Sequence, residues 1–162
     1  MSSVIRVINR FVESIAMLFL AGMVLVVFLQ IVLRAISGSS FLWAEEVARF
    51  LMIWVIFLGT AVAFRYGAHI SIEFLFDRLP ESLKKVGHVL IALLSIVFVA
   101  VLIAKGWELC QKSMVNFSPA LKIPMGYVYA VIPISGILMI INMVDAVVRF
   151  FRTGRIAGEA LE

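Results

Sequence analysis

The run SIAMLFLAGMVLVVFLQIVL, Ser14 to Leu33, is twenty residues long and carries no formal charge. Gln30 is its main polar interruption. A helix rises about 1.5 Å per residue, so the run covers about 30 Å, the thickness of a bilayer's hydrocarbon core. In lipid, backbone polar groups must be satisfied within the segment, so a run of this length reads as a membrane-spanning helix. Three more runs follow, and the predicted spans lie at about 12–33, 44–64, 86–104 and 127–148. The second confines its charges to its first turns, at Glu45, Glu46 and Arg49. The third has no formal charge, and the fourth reaches Val148 if Asp145 faces protein or the interface. Strand alternation is absent, which argues against an outer-membrane barrel. A secretory signal has an apolar core of about 7–15 residues, so the first run is expected to stay as an uncleaved helix.

Composition agrees. Of the 162 residues, 64% are apolar and 15% charged, and the mean hydropathy is +1.12. Ordinary soluble domains hold about 45–50% apolar and about 25% charged residues. A disordered chain is excluded, because disorder requires few apolar residues and high net charge. A soluble enzyme of this size could not hide so much apolar surface. The length fits one domain, residues 1–162. The expected fold class is therefore an all-α membrane protein with four transmembrane helices. Net charge is +4, but the 14 Lys and Arg are scattered between uncharged runs and form no nucleic-acid-binding stripe. The single cysteine, Cys110, excludes an intrachain disulfide and reads as a small apolar filler.

Four spans place both termini on one side, and the Lys/Arg bias selects it. The set on the terminal side is Arg6, Arg10, Arg65, Arg78, Lys84, Lys85, Arg149, Arg152 and Arg155. The opposite set is Arg34, Arg49, Lys105, Lys112 and Lys122. Both termini are thus expected in the cytoplasm. Residues 34–43 form a short outer loop marked by Ser37, Gly38, Ser39 and Ser40. The inner connection, 65–85, contains an amphipathic link at 68–80, with Ile72, Leu75, Phe76 and Leu79 at i, i+3, i+4 and i+7. It is expected to lie in the membrane plane between helices 2 and 3, although Ile70, Ile72, Phe74 and Phe76 also fit a strand. Residues 105–126 form the longest outer connection, made irregular by Pro119, Pro124 and Gly126.

A haem-bearing anchor needs axial ligands, usually His, inside its helices. The two histidines are His69 in the inner connection and His88 one turn into the third span, so no cofactor is expected. A carrier needs polar or ionisable groups near mid-membrane. Glu13, Asp145, Arg49, Gln30 and Asn142 all lie towards span ends, and Pro133 is expected to kink the fourth span. The chain is therefore not expected to carry a solute alone.

Trp43, Glu45, Glu46 and Arg49 cluster at the outer mouth of the second span. Glu45 and Arg49 are four apart and can pair, while Trp43 fits an interfacial aromatic belt. The cluster reads either as a helix-end anchor or as a contact with a partner subunit, with Arg34 able to join from the first span. Gly59 and Ala63 form a small-xxx-small pair that permits close helix approach, and Gly22 and Gly136 could act alike. The third span, rich in Leu, Ile and Val, looks lipid-facing.

These residues resemble a known family. WAEEVAR (43–49), Trp54, Gly59 and RYGAHISI (65–72), then SPALKIPMGY (118–127), Tyr129 and Pro133 to Gly136, are similar to the small membrane subunit of the tripartite ATP-independent periplasmic (TRAP) transporters. Lys122 departs from the small residue commoner there. The resemblance implies an accessory scaffold subunit, not an enzyme, in the bacterial inner membrane. Its implied partners are a large membrane subunit, a periplasmic substrate-binding protein and membrane lipid. The implied transporter is sodium-coupled and imports an organic anion, a sialic acid or a dicarboxylate. The partner-interface candidates are Arg34, Trp43, Glu45, Glu46, Arg49, Gly59 and Ala63. Lys105, Lys112 and Lys122 are candidates for docking the binding protein. The competing readings are a membrane anchor of a redox enzyme, the small subunit of a tripartite tricarboxylate transporter, and a small multidrug carrier.

Overall fold

The computed structural model describes residues 3–38, 41–64 and 81–153. Its helices are α1 (Ser3–Ser37), α2 (Leu42–Ala63), α3 (Glu81–Ser113), α4 (Met125–Tyr129) and α5 (Val131–Thr153). Among the described residues there is no strand, only an isolated antiparallel bridge between Phe117 and Pro124. Among the described residues, four stretches are long and apolar enough to cross a membrane: Ile5–Ile36, Leu42–Ala63, Leu93–Ser113 and Met125–Asp145. The chain is an all-α membrane protein with four spanning helices. The amphipathic link at 68–80, with Ile72, Leu75, Phe76 and Leu79, lies outside the described residues.

Two helix boundaries have a visible reason. Gly38 takes φ +67 and its N–H donates to the carbonyl of Arg34 at 3.0 Å, which closes α1 with a left-handed cap. Pro133 explains the interruption at Ala130. Lacking an N–H, it cannot bond to the carbonyl of Tyr129, and its ring crowds that carbonyl. The result is α4 ending at Tyr129 and Pro133 seated in the first turn of α5, where its missing donor costs nothing. The disturbance expected from Pro133 takes the form of this interruption at Ala130, inside the span, where φ −59 and ψ −24 keep the chain on a helical path. α3 also runs to Ser113, nine residues past the predicted end at 104. Lys105, Glu108 and Lys112 continue the helix because their spacing lets them pair along it.

α2 packs on α1 and α5, and α5 packs on α2 and α3, so α1 and α3 take the flanks. One core cluster centres on Val12, Leu58 and Val131, with Phe19 and Trp54 edge-to-face at 5.8 Å between α1 and α2. A second joins Ala61, Val99 and Met139. The α3–α5 crossing is close because glycine faces a bulky side chain in both directions. A Cβ on Gly106 would lie 2.6 Å from Ile132 Cγ2, and one on Gly136 would lie 2.5 Å from Ile103 Cγ1. The third span is therefore not wholly turned to lipid: Leu93, Leu94, Val97 and Phe98 are exposed, but Val99 and Gly106 are buried.

The α3–α5 crossing makes a direct prediction. Gly106→Val should lower stability by about 1–3 kcal/mol through overpacking. Gly59→Ala, where a Cβ meets nothing within 4 Å, should leave the isolated chain unchanged or slightly more stable. Thermal unfolding in detergent measures both.

Candidate functional site

The polar residues gather at the two ends of the bundle. At the loop end, where the 38–41 and 114–124 connections lie, Glu46 is buried (8% exposed). Its Oε1 accepts from the N–H of Ala120 at 2.9 Å and its Oε2 from the N–H of Leu121 at 3.0 Å. A carboxylate that takes two successive amides makes a charge-assisted clasp, stronger than neutral hydrogen bonds. The clasped segment is itself a closed turn. The N–H of Met125 donates to the carbonyl of Asn116 at 2.8 Å, and that of Ser118 to Ile123 at 2.9 Å. Ser118 is buried, and its Oγ accepts from the N–H of Ile123 at 3.3 Å. Lys122 adopts φ 57 to complete the turn, with its N–H on the carbonyl of Ser118.

The remaining loop-end candidates face outward. Glu45 and Arg49 pair at 3.0 Å, as their spacing predicts, and both side chains are more than half exposed. Such a pair is worth only about 0.3–0.5 kcal/mol. Trp43 is 42% exposed, and Arg34 lies in the last turn of α1 without a hydrogen bond to the Trp43–Arg49 cluster. Glu46, grouped with them by sequence, is turned inward to the 118–121 turn. Lys105 and Lys112 both reach Glu108, at 2.8 and 2.7 Å, with the lysines 74% exposed. They sit on α3, not in an irregular loop. Gly59 and Ala63 lie exposed on α2, whereas a Cβ on Gly22 would lie 3.7 Å from Leu51 Cδ1 in the α1–α2 contact.

At the terminal end, where α1 begins and α5 finishes, Asn9 and Asn142 are both 2% exposed. Asn9 Nδ2 donates to Asn142 Oδ1 at 2.6 Å, and Asn142 Nδ2 donates to Asn9 Oδ1 at 3.0 Å. Asn142 Nδ2 also donates to the carbonyl of Ala61 at 2.9 Å. That carbonyl lies in the last turn of α2. The pair thus ties α1, α2 and α5 together. Sequence reasoning noted Asn142 only by its position and missed Asn9. The available signal was that Asn9 shares a helical face with Val12, Ala16 and Phe19.

Buried Cys110 donates its thiol to the carbonyl of Gly126 at 3.2 Å, joining α3 to α4. No group of three or more His, Cys, Asp and Glu converges among the described residues. The clasp is testable: Glu46→Gln keeps the shape but removes the charge and one acceptor. Loss of a buried hydrogen bond costs about 1–3 kcal/mol. Hydrogen exchange at the Ala120 and Leu121 amides should accelerate roughly tenfold, and unchanged exchange would contradict the clasp.

Comparison with known proteins identifies the family. The profile of the tripartite ATP-independent periplasmic transporters, DctQ component, matches residues 23–153. A Haemophilus influenzae chain whose name gives it as a TRAP transporter small permease protein is 30% identical, over 94% of this chain and 97% of that one. The Vibrio cholerae sialic acid TRAP transporter small permease protein SiaQ is 25% identical, over 88% of this chain and 82% of its own length. The Haemophilus influenzae sialic acid TRAP transporter permease protein SiaT is 29% identical, and the match covers 78% of this chain but 20% of that one. The family is a transporter component, not an enzyme, and the four apolar helices make this member a multi-pass inner-membrane protein. The chain belongs to the DctQ component family of the tripartite ATP-independent periplasmic transporters.

Proposed function

We propose that the chain is the stationary scaffold subunit of a sodium-coupled importer whose moving parts, substrate site and ion sites lie in a separate large membrane subunit. The observation that carries this reading is where its buried polar groups point. Glu46 is spent on the amides of the 118–121 turn, and Asn9 and Asn142 are spent on each other and on Ala61. These three side chains brace the bundle. The match to about a fifth of SiaT supports the same reading, since there the equivalent segment is part of a much longer permease. The cargo is an organic anion of the sialic acid or dicarboxylate type, the classes printed in the names of SiaQ and of the Rhodobacter capsulatus C4-dicarboxylate TRAP transporter small permease protein DctQ.

The Lys/Arg bias supports cytoplasmic termini, so the loop end faces the periplasm and the binding protein. The Glu46 clasp presents the 118–122 turn there in one conformation, with Lys122 exposed at its tip. On α3, Lys105 and Lys112 exceed Glu108 by one positive charge. The exposed stripe of α2 through Glu45, Arg49, Gly59 and Ala63 is the face for the large subunit, with exposed Trp43 and Arg34 as further candidates at the loop end. The open space over Gly59 lets another helix approach closely.

Proteoliposomes holding the large subunit and the binding protein should take up substrate at least tenfold more slowly without this chain than with it. Full-rate uptake without it overturns the scaffold role. Charge reversal at Lys105, Lys112 or Lys122 should weaken uptake that depends on the binding protein at unchanged membrane abundance, with Lys122→Glu the most severe because no described carboxylate partners it. Unchanged uptake in all three removes the lysines from the docking surface.

A further inference from the structure

We propose that a groove at the terminal end of α1 binds the phosphate of an anionic phospholipid, with Arg6 and Arg10 as its donors. The groove has a volume of about 310 Å³ and is lined, among the described residues, by Arg6, Val7, Arg10, Phe11 and Ser14. The arginines are one helical turn apart, so both guanidinium groups rise on one side of α1. Both are exposed, and neither forms an ion pair or side-chain hydrogen bond with a described residue. Two adjacent cations repel each other and attract an anion. Guanidinium forks match phosphate oxygens in geometry and charge. The third polar group cannot serve as a donor: the Ser14 hydroxyl donates to the carbonyl of Arg10 at 2.9 Å. Glu13, the nearest carboxylate in sequence, does not line the groove.

The depth of the groove selects a lipid over a free anion. Arg10 stands four residues before the uncharged run that begins at Ser14, about 6 Å along the axis, at the level where headgroups lie. The groove then opens onto an apolar track. Val7, Phe11, Leu18, Leu25 and Phe28 recur at i, i+4, i+11, i+18 and i+21 on one face, and each is at least 66% exposed. From Phe11 to Ala21 the helix rises about 15 Å, the length of one leaflet's hydrocarbon. A phosphodiester on the arginines would lay its acyl chains along that track. This inference rests on the chain spanning a membrane and not on its place in a transporter, so the two fail separately.

The test uses the full-length chain in detergent, titrated with phosphatidylglycerol and followed by native mass spectrometry. A one-to-one adduct is expected, and phosphatidylcholine with the same acyl chains should bind at least tenfold more weakly. The Arg6→Gln/Arg10→Gln double variant should lose about tenfold or more in apparent affinity, consistent with the attraction of each basic residue for an anionic surface. Arg6→Lys/Arg10→Lys, which keeps the charge, should retain most binding, and Arg34→Gln at the other end should retain all of it. Equal binding of both lipids, or no loss in the double glutamine variant, overturns the site. So does displacement of the lipid by millimolar inorganic phosphate, which would assign the groove to a free anion. Finally, the adduct should persist when the chain is co-purified with its large subunit. Its exclusion there would make the groove a protein interface and overturn the proposal.

Discussion

Two side-chain amides hold the far flank of the bundle in place. α1 packs along α2 alone for most of its length, and it meets α5 through the reciprocal hydrogen bonds of Asn9 and Asn142. In a membrane the packing of apolar side chains discriminates weakly, because lipid tails are as apolar as Leu. Directional bonds therefore do more of the specifying. The same Asn142 amide also donates to the Ala61 carbonyl in the last turn of α2. One residue thus sets the mutual position of three helices. The glycine-lined crossing of α3 on α5 extends the assembly to the fourth long helix.

The opposite end is set by a different chemistry. There the chain leaves regular structure, and a turn with several backbone donors must be satisfied. Glu46 meets two of them with its two oxygens, while Ser118 and Lys122 close the turn internally. The clasp joins the start of α2 to the connection between α3 and α4. Both ends of the bundle are consequently fixed by buried polar contacts, and the apolar middle needs only to fill space. A frame of this kind suits a subunit that stays still while another moves.

Local features were legible in the sequence, and distant pairings were not. Uncharged runs announced four spans because lipid leaves the backbone no other solution. The Glu45–Arg49 pair followed from a spacing of four. Glu46 shows the limit: it looked like its neighbour Glu45, yet its partners lie 74 and 75 residues away. Asn9 and Asn142 are separated by 133 residues, so no local pattern links them. The uncharged run stops at Ala104, but α3 continues to Ser113 because Glu108 between Lys105 and Lys112 pairs with both along the helix. The true role of Pro133 depended on Tyr129, four residues before it, whose carbonyl it leaves without a helical partner.

Cys110, sealed against Gly126 at the α3–α4 junction, has a practical consequence for anyone mapping this molecule. It is the chain's sole thiol, and it is shielded from bulk reagents. The natural sequence therefore serves as its own silent background for maleimide labelling. A cysteine introduced at an exposed position of either end would report, through a reagent unable to cross the bilayer, which compartment that end occupies.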